Sequence, residues 1–425
     1  EQPLEEAQAA FGIILSERQK DAVRMVFQSN VSVITGGPGK GKTTVLRVVL
    51  EVFKRITGRD DFLLCAPTGR ARKRLSESAG APALTLHKAM YLNGEEDLSG
   101  LADSEDLLEE ELIIADEFTM SDMWLSSILF SRVRSGARLV LVGDVDQLPS
   151  VGPGAVFKAI IDSGIVPVTV LDVFFRQAKD SRIILNADRM IRSQRNLIYG
   201  DDFQFHPAED DHEAAKIIAS LYQAELVRAE GNPDMVQVLS PYRVKTEAGV
   251  NALNRMLREI ANPASADAAQ WNVGGRTFRI QDKVMQTRNV DNISNGDIGR
   301  VVQISRRKDG NRQLQVDFGE EKWMYQEEDL EDLEFAYATS VHKSQGAEYP
   351  VVILPVLKCF YPMLRRDIYY TGITRAKARV HLVGSKAALA IAISRTNIGT
   401  RNTMLAERIQ AEAKRQGYIP EWKAA

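Results

Sequence analysis

Gly36-Gly37-Pro38-Gly39-Lys40-Gly41-Lys42-Thr43 is a complete G-x-x-x-x-G-K-T phosphate-binding loop. The run before it, Val31-Ser32-Val33-Ile34-Thr35, is β-branched and predicts a buried strand. The run after it, Thr44 to Lys54, has helical spacing and good helix formers. Strand, loop and helix in that order are the context the motif requires. The glycines let backbone N–H groups close around phosphates, and the helix N-terminus adds a favourable dipole. In that frame Lys42 reaches the β- and γ-phosphates of ATP and the Thr43 hydroxyl ligates Mg²⁺.

Working outward, the apolar runs Phe62–Ala66, Leu112–Ala115 and Leu139–Gly143 alternate with helical patterns. That alternation predicts an α/β fold with a parallel sheet covered on both faces. A connecting segment near Arg176 interrupts it. A second α/β set follows, with strands expected at Val236–Leu239, Val351–Pro355 and Val380–Gly384. Between Phe278 and Leu333 the texture changes to short β-rich runs, Arg300–Ile304, Gln313–Phe318 and Lys322–Tyr325. Turn signals such as Asn295-Gly296-Asp297 and Lys308-Asp309-Gly310 divide them. The expectation is a small inserted β-barrel. Residues Leu92 to Glu111 are acidic and weakly patterned, an expected excursion from the first domain.

The chain has 425 residues, 44% of them hydrophobic and 26% charged, which suits a soluble protein of two or three domains. Its net charge of -3 and pI near 6.1 do not announce a nucleic-acid partner, so any basic surface must be local. The only two cysteines, Cys65 and Cys359, sit in apolar strand-like runs and are expected to be buried free thiols. A reducing, cytoplasmic compartment follows as an expectation. No run is long and apolar enough to span a membrane, and no signal peptide is expected. The chain starts at Glu1 without a methionine, as a fragment lacking an N-terminal domain would.

Further motifs carry chemistry. Leu112-Ile113-Ile114-Ala115-Asp116-Glu117 is an apolar strand ending in two carboxylates, placed where ligands bind in α/β sheets. Asp116 suits the Mg²⁺ shell and Glu117 the activation of an attacking water. Beyond Leu139–Gly143, Gln147 either contacts the γ-phosphate or its water, or caps a turn. Arg176 and Arg375 are cations of the kind that two-domain ATPases bring to the γ-phosphate. The Gln19 amide suits an adenine edge, and Ser16 before it also N-caps a helix from Glu17. Thr339 to Gly346 mixes hydroxyls, a base and a glycine, groups that suit a sugar-phosphate backbone. His342 has no partner at metal-ligand spacing.

Taken together, these segments resemble the superfamily 1 helicases, specifically the RecD-like branch, over about Leu15 to Ser385. The markers in order are Leu15–Gln19, Gly36–Thr44, Ala66-Pro67-Thr68-Gly69-Arg70-Ala71, Thr85-Leu86-His87, Asp116-Glu117, Gly143 through Pro149, Phe175-Arg176-Gln177, His342–Glu348 and Tyr370–Lys377. Asp282 to Gln286, with Asn295 to Gly299, looks like the start of the SH3-like domain inserted in these enzymes. Two departures are Lys40, where a small or hydroxyl residue is usual, and Phe118-Thr119, where Ala-Ser is.

The resemblance implies two RecA-like domains, 1–175 with an excursion at about 91–111, and 176–281 with 334–395. An SH3-like insertion at 282–333 and a helical tail at 396–425 complete it. It implies ATP in the cleft between the two large domains, held by Gln19, Gly37, Pro38, Gly39, Lys40, Gly41, Lys42, Thr43, Thr44, Gly346 and Glu348. Lys42, Glu117, Gln147, Arg176 and Arg375 would be catalytic, with Mg²⁺ on Thr43 and Asp116. Single-stranded DNA would meet Pro67, Thr68, His87, Pro149, Arg243, His342, Lys343 and Ser344. Tyr242 would either stack on a base or pack in the core. The implied function is ATP-driven 5′→3′ translocation with unwinding of duplexes bearing a 5′ single-stranded tail. A monomeric motor without sequence specificity is expected, with repair or recombination proteins as partners. Two readings compete: a DNA-stimulated ATPase subunit or remodeller without unwinding of its own, and a small-molecule or nucleotide kinase. The kinase reading leaves His342–Glu348 and Thr374–Lys377 unexplained. The acidic excursion falls where RecD-like enzymes carry a strand-separating hairpin.

Overall fold

The computed structural model describes residues 1–92, 106–172, 180–265, 269–291, 293–308, 310–396, 401, 403–418 and 420. It divides into two compact units: residues 1–180 with the C-terminal segment that carries helix Leu405–Arg415, and residues 181–398.

The first unit holds a six-stranded parallel sheet. Its order is Leu84–Thr85, Phe62–Ala66, Leu112–Ala115, Arg138–Gly143, Val31–Thr35 and Val168–Val170. Successive residues feed opposite faces, as strand geometry requires. Ile34, Ile114 and Val140 join a core built with Val45, Val49 and Phe53 of helix Lys42–Thr57. Val33, Ile113 and Leu141 join another, with Phe157 and Ile160 of helix Val156–Ser163. Both faces are covered, which is why these strands read as unbroken apolar runs. Helix Leu405–Arg415 also belongs here: Leu405 and Ile409 pack on the second core, and Gln410 donates to the Ser163 carbonyl at 2.9 Å.

The second unit holds a five-stranded parallel sheet in the order Ala338–Ser340, Val236–Ser240, Tyr349–Val356, Ala376–Gly384 and Phe203–Pro207. A five-stranded antiparallel sheet interrupts it in sequence. That sheet runs Lys322–Tyr325, Arg312–Asp317, Ile298–Arg306, Lys283–Gln286 and Leu333–Phe335. Its core adds Trp271 and Phe278 from a hairpin, Gln270–Val273 with Arg276–Arg279. Gly274 and Gly275 both have positive φ (55° and 74°), so they can form the tight reversal whose twist suits a hairpin.

A buried ion pair fastens the antiparallel region to its surroundings. Arg258, on helix Val250–Ala261, donates to both Asp282 oxygens at 2.8 and 2.6 Å, with side chains 9% and 0% exposed. Asn262, the Arg279 N–H and the Tyr337 hydroxyl also donate to Asp282. Asp282→Ala leaves the Arg258 guanidinium buried without its counter-ion. The expected cost to the second unit is about 3–5 kcal/mol, read as a lowered denaturation midpoint for that unit. A loss under about 1 kcal/mol, the scale of an exposed pair, would show that water reaches the site.

Cys65 is buried in its strand, as expected, and burial raises its thiol pKa. Cys359 corrects the expectation for the second thiol. Its strand ends at Val356, and Cys359 lies exposed in the 3₁₀ segment Lys358–Met363. The apolar run continues past the sheet edge, so its last members are turn residues. Of the acidic excursion, residues 93–105 lie outside the described residues; beyond them Leu108 is buried and bridges Val133. Among the described residues no helix is long and apolar enough to cross a membrane.

Candidate nucleotide and nucleic-acid site

Because the first sheet is parallel, the C-terminal ends of its strands share one edge. Five segments leave that edge: the phosphate loop after Thr35, Pro67-Thr68 after Ala66, His87 after Thr85, Asp116-Glu117 after Ala115, and Asp144 to Pro149 after Gly143. This is where open α/β sheets bind ligands.

Gly39 (φ 70°) and Gly41 (φ 81°) turn the phosphate loop, and Gly41 caps helix Lys42–Thr57. Thr43 and Thr44 are half-buried in the first helical turn. The Lys42 ammonium folds back into the loop and donates to the Gly36 and Gly37 carbonyls at 2.5 and 3.4 Å. Gln19, only 4% exposed, closes a capping box: its oxygen accepts from the Ser16 N–H at 3.0 Å and the Ser16 hydroxyl accepts from the Gln19 N–H. Its amide nitrogen donates to the Lys40 carbonyl at 3.3 Å. The contact at position 40 is thus to backbone, which any residue supplies.

Asp116 and Glu117 are 7% and 3% exposed. Burial, then the neighbouring Glu117 charge, push the Asp116 carboxyl above the usual carboxylate range, while Arg74 and Lys42 pull it down. Glu117 adopts a left-handed backbone (φ 50°), costly for a non-glycine residue. Its Oε1 accepts from Arg74 Nη2 at 2.6 Å. The two departures after the acid pair are both used. Phe118 is fully buried against Phe157, and the Thr119 hydroxyl exchanges hydrogen bonds with the Asp144 backbone at 3.2 Å. A side chain at Gly143 would start 2.6 Å from that hydroxyl.

Gln147 is buried, and its amide donates to Asp144 Oδ2 at 3.1 Å, which is the turn-capping geometry. The loop beyond it carries the half-buried Pro149 and is clamped by Arg401, from the C-terminal segment. Arg401 donates to the Ser150 carbonyl at 2.6 Å, the Ser150 hydroxyl at 3.1 Å, the Gly154 carbonyl at 2.5 Å and the Gly152 carbonyl. Pro67 and Thr68 are half-buried, and the Thr68 oxygen caps helix Gly69–Ala79 by accepting from the Ala71 N–H. His87 is half-buried, and burial lowers its imidazole pKa.

In the second unit the candidates lie at two edges of its sheet. Tyr242 and Arg243 follow Ser240; His342, Lys343 and Ser344 follow Ser340, on the adjacent parallel strand. The Tyr242 ring packs 5.0 Å from that of Phe360 and is half-buried. Arg243 pairs with Glu334 at 2.5 Å, and Lys343 donates to Asn295 at 2.5 Å, so both candidates touch the antiparallel region. Burial lowers the His342 pKa. The Ser344 hydroxyl is buried and donates to the Val341 carbonyl at 2.7 Å. Gly346 (φ 74°), Glu348 and Arg375 instead precede strands Tyr349–Val356 and Ala376–Gly384. Arg375 is 2% exposed and donates to the Thr371 and Ala347 carbonyls at 3.3 Å; Glu348 pairs with Lys377 at 3.0 Å. Arg176, with Phe175 and Gln177, lies outside the described residues.

Two arginines at the site escaped the sequence reading. Arg74 sits in Arg70-Ala71-Arg72-Lys73-Arg74, a run that reads as a solvated face; only its helical phase singles it out. Arg401 lies about 250 residues from the loop it holds and carries no local signal.

The donor set fits Mg²⁺. Thr43 and Asp116 offer oxygen, the hard ligand this cation takes, and two adjacent buried carboxylates suit a nearby positive charge. Among the described residues no group of three or more His, Cys, Asp or Glu could hold a metal unaided. A cation here would take its remaining ligands from phosphate and water.

Comparison with known proteins agrees with this arrangement. An AAA domain model matches residues 19–153, the SH3 domain model of ATP-dependent RecD-like DNA helicases matches 253–318, and a UvrD-like helicase C-terminal domain model matches 335–383. The ATP-dependent RecD2 DNA helicase of Deinococcus radiodurans is 33% identical over 400 residues, 93% of this chain and 53% of that protein. The RecBCD enzyme subunit RecD of Mycolicibacterium smegmatis is 27% identical over 93% of this chain and 75% of its own length. The chain thus spans about half the length of the first relative and three quarters of the second. The Pif1 helicase crystal structure from Candida albicans shares the fold, with TM-score 0.54 and 18% identity over 95% of this chain and all of that one. With AAA, RecD-like helicase SH3 and UvrD-like helicase C-terminal models matched in order, and a RecD2 relative aligned along 93% of this chain, the chain is similar to the RecD-like helicases over nearly all of its own length.

Proposed function

We propose that the chain is an ATP-driven motor that moves 5′→3′ on single-stranded DNA and unwinds duplex DNA, as the helicase names of its relatives suggest. The observation that carries the reading is the single edge of the first sheet. It gathers the phosphate loop, the acid pair and three candidate DNA segments, so phosphate chemistry and strand contact share one rigid layer.

In this reading the loop N–H groups and Lys42 hold the β- and γ-phosphates, and Gln19 fixes the loop through the Lys40 carbonyl. Thr43 and Asp116 would hold Mg²⁺, which neutralises phosphate charge. Glu117 takes a proton from water as the water oxygen bonds to the γ-phosphorus. The bond to the bridging oxygen breaks, ADP leaves with that electron pair, and the proton passes on to solvent. Gln147, held by Asp144, orients the loop that ends at Pro149. Arg375 is assigned a catalytic role. Arg176 is too, on its motif position.

DNA contacts are proposed for Pro67, Thr68, His87 and Pro149 in the first unit. In the second they are Tyr242, Arg243, His342, Lys343 and Ser344, with the antiparallel region beside them through Lys343–Asn295 and Arg243–Glu334. A monomeric motor serving repair or recombination is the setting we assign. The RecD names fit the repair or recombination setting, and the free Cys65 and Cys359 suit a reducing cytoplasm.

Two readouts test the DNA assignment. Unrelated single strands should all stimulate ATP turnover, and their affinities should fall together as salt rises, because phosphate contacts and stacking carry no base code. Strong preference for one sequence, or salt-independent binding, would contradict it.

A further inference from the structure

The ion pair between Arg74 and Glu117 has no part in binding nucleotide or metal as assigned above. Arg74 Nη2 stands 2.6 Å from Glu117 Oε1, with the carboxylate side chain 4% exposed and the guanidinium 27%. A charge-assisted bond in so dry a place is strong and fixes the carboxylate's orientation. A general base needs instead a carboxylate oxygen turned to the attacking water, within hydrogen-bond reach of its proton. The observed geometry is therefore that of a restrained base.

Arg74 rides on helix Gly69–Ala79, whose cap is Thr68. Thr68 accepts from the Ala71 N–H at 3.2 Å, and its carbonyl accepts from the Arg72 N–H at 2.9 Å. The candidate DNA segment Pro67-Thr68 is thus bonded into the first turn of the helix that carries Arg74 six residues on. A helix is a rigid lever over so short a span, about 9 Å at 1.5 Å per residue.

We propose that Arg74 is a positioning residue that restrains Glu117 until DNA on Pro67-Thr68 shifts the helix and releases the carboxylate, making ATP hydrolysis depend on single-stranded DNA. The inference rests on Glu117 being the base, and the experiment separates the two. Steady-state ATP turnover is measured without DNA and with saturating oligo-dT for the unmodified chain, Arg74→Ala, Arg74→Lys and Glu117→Gln. Arg74→Ala is expected to raise DNA-free turnover several-fold with little change in KM for ATP, and so to shrink the ratio of stimulated to basal kcat. Arg74→Lys keeps the charge on a less fixed stem and should fall between, which covers the case in which Arg74→Ala does not fold. Lowered turnover in both conditions at an unchanged ratio, in Ala or Lys, would mean a merely structural pair and would overturn the inference. Full turnover in Glu117→Gln would instead remove the base assignment itself.

Discussion

Lys42→Ala is expected to abolish ATP turnover while leaving the fold intact. The ammonium sits inside the arc of its loop, on the Gly36 and Gly37 carbonyls, where the β- and γ-phosphates are expected. As the bond to the γ-phosphate breaks, charge grows on oxygens that the ammonium faces, and water is a poor substitute in a preorganised site. Removing one such donor typically costs about 10²–10³ in kcat, and here the donor carries a full charge. The fold should survive because Lys42 opens its helix and is not part of the core. Steady-state turnover with saturating oligo-dT, alongside a melting curve, is the measurement. Turnover within a few-fold of the unmodified chain would falsify the phosphate-loop assignment.

Glu117→Gln should separate binding from chemistry. Thr43 and Asp116 remain, so nucleotide and Mg²⁺ should still bind. The amide cannot take a proton from water, and hydrolysis should fall by about 10²–10⁴, the usual contribution of a general base. Titration with a fluorescent nucleotide reads the first quantity and single-turnover hydrolysis the second. Loss of binding together with hydrolysis would make Glu117 part of the metal shell or the structure.

Much of this site was legible because its determinants are local. A β-branched run, a glycine loop and a helix name the phosphate site within about two dozen residues. An apolar strand ending in Asp116-Glu117 places the acids by strand geometry alone. What the sequence withheld are relations between distant residues. Strand Phe203–Pro207 is half polar and closes one edge of its sheet, so no apolar run marks it. Val168–Val170 is three residues long. Hairpin Gln270–Arg279 alternates, but its tight Gly-Gly turn falls before the change of texture that drew attention to the insertion. Cys359 misled because a hydrophobic run does not announce where its strand stops. Arg74, Arg401 and Arg258 each meet acceptors far away in sequence, and only the fold states which acceptors an arginine meets. Gln147 and Ser16 show the converse: the turn cap considered for Gln147 and the helix cap expected of Ser16 are present, and Gln19, completing the Ser16 cap, is left anchored beside the phosphate loop.

The most direct test of the motor is unwinding of duplexes bearing a single-stranded tail at either the 5′ or the 3′ end, by the chain alone with ATP. The account expects strand separation of the 5′-tailed duplex, dependence on hydrolysable ATP, and none with Lys42→Ala. Separation of the 3′-tailed duplex instead would reverse the polarity, and DNA-stimulated turnover without separation of either would make the chain a translocating or remodelling ATPase and contradict the claim.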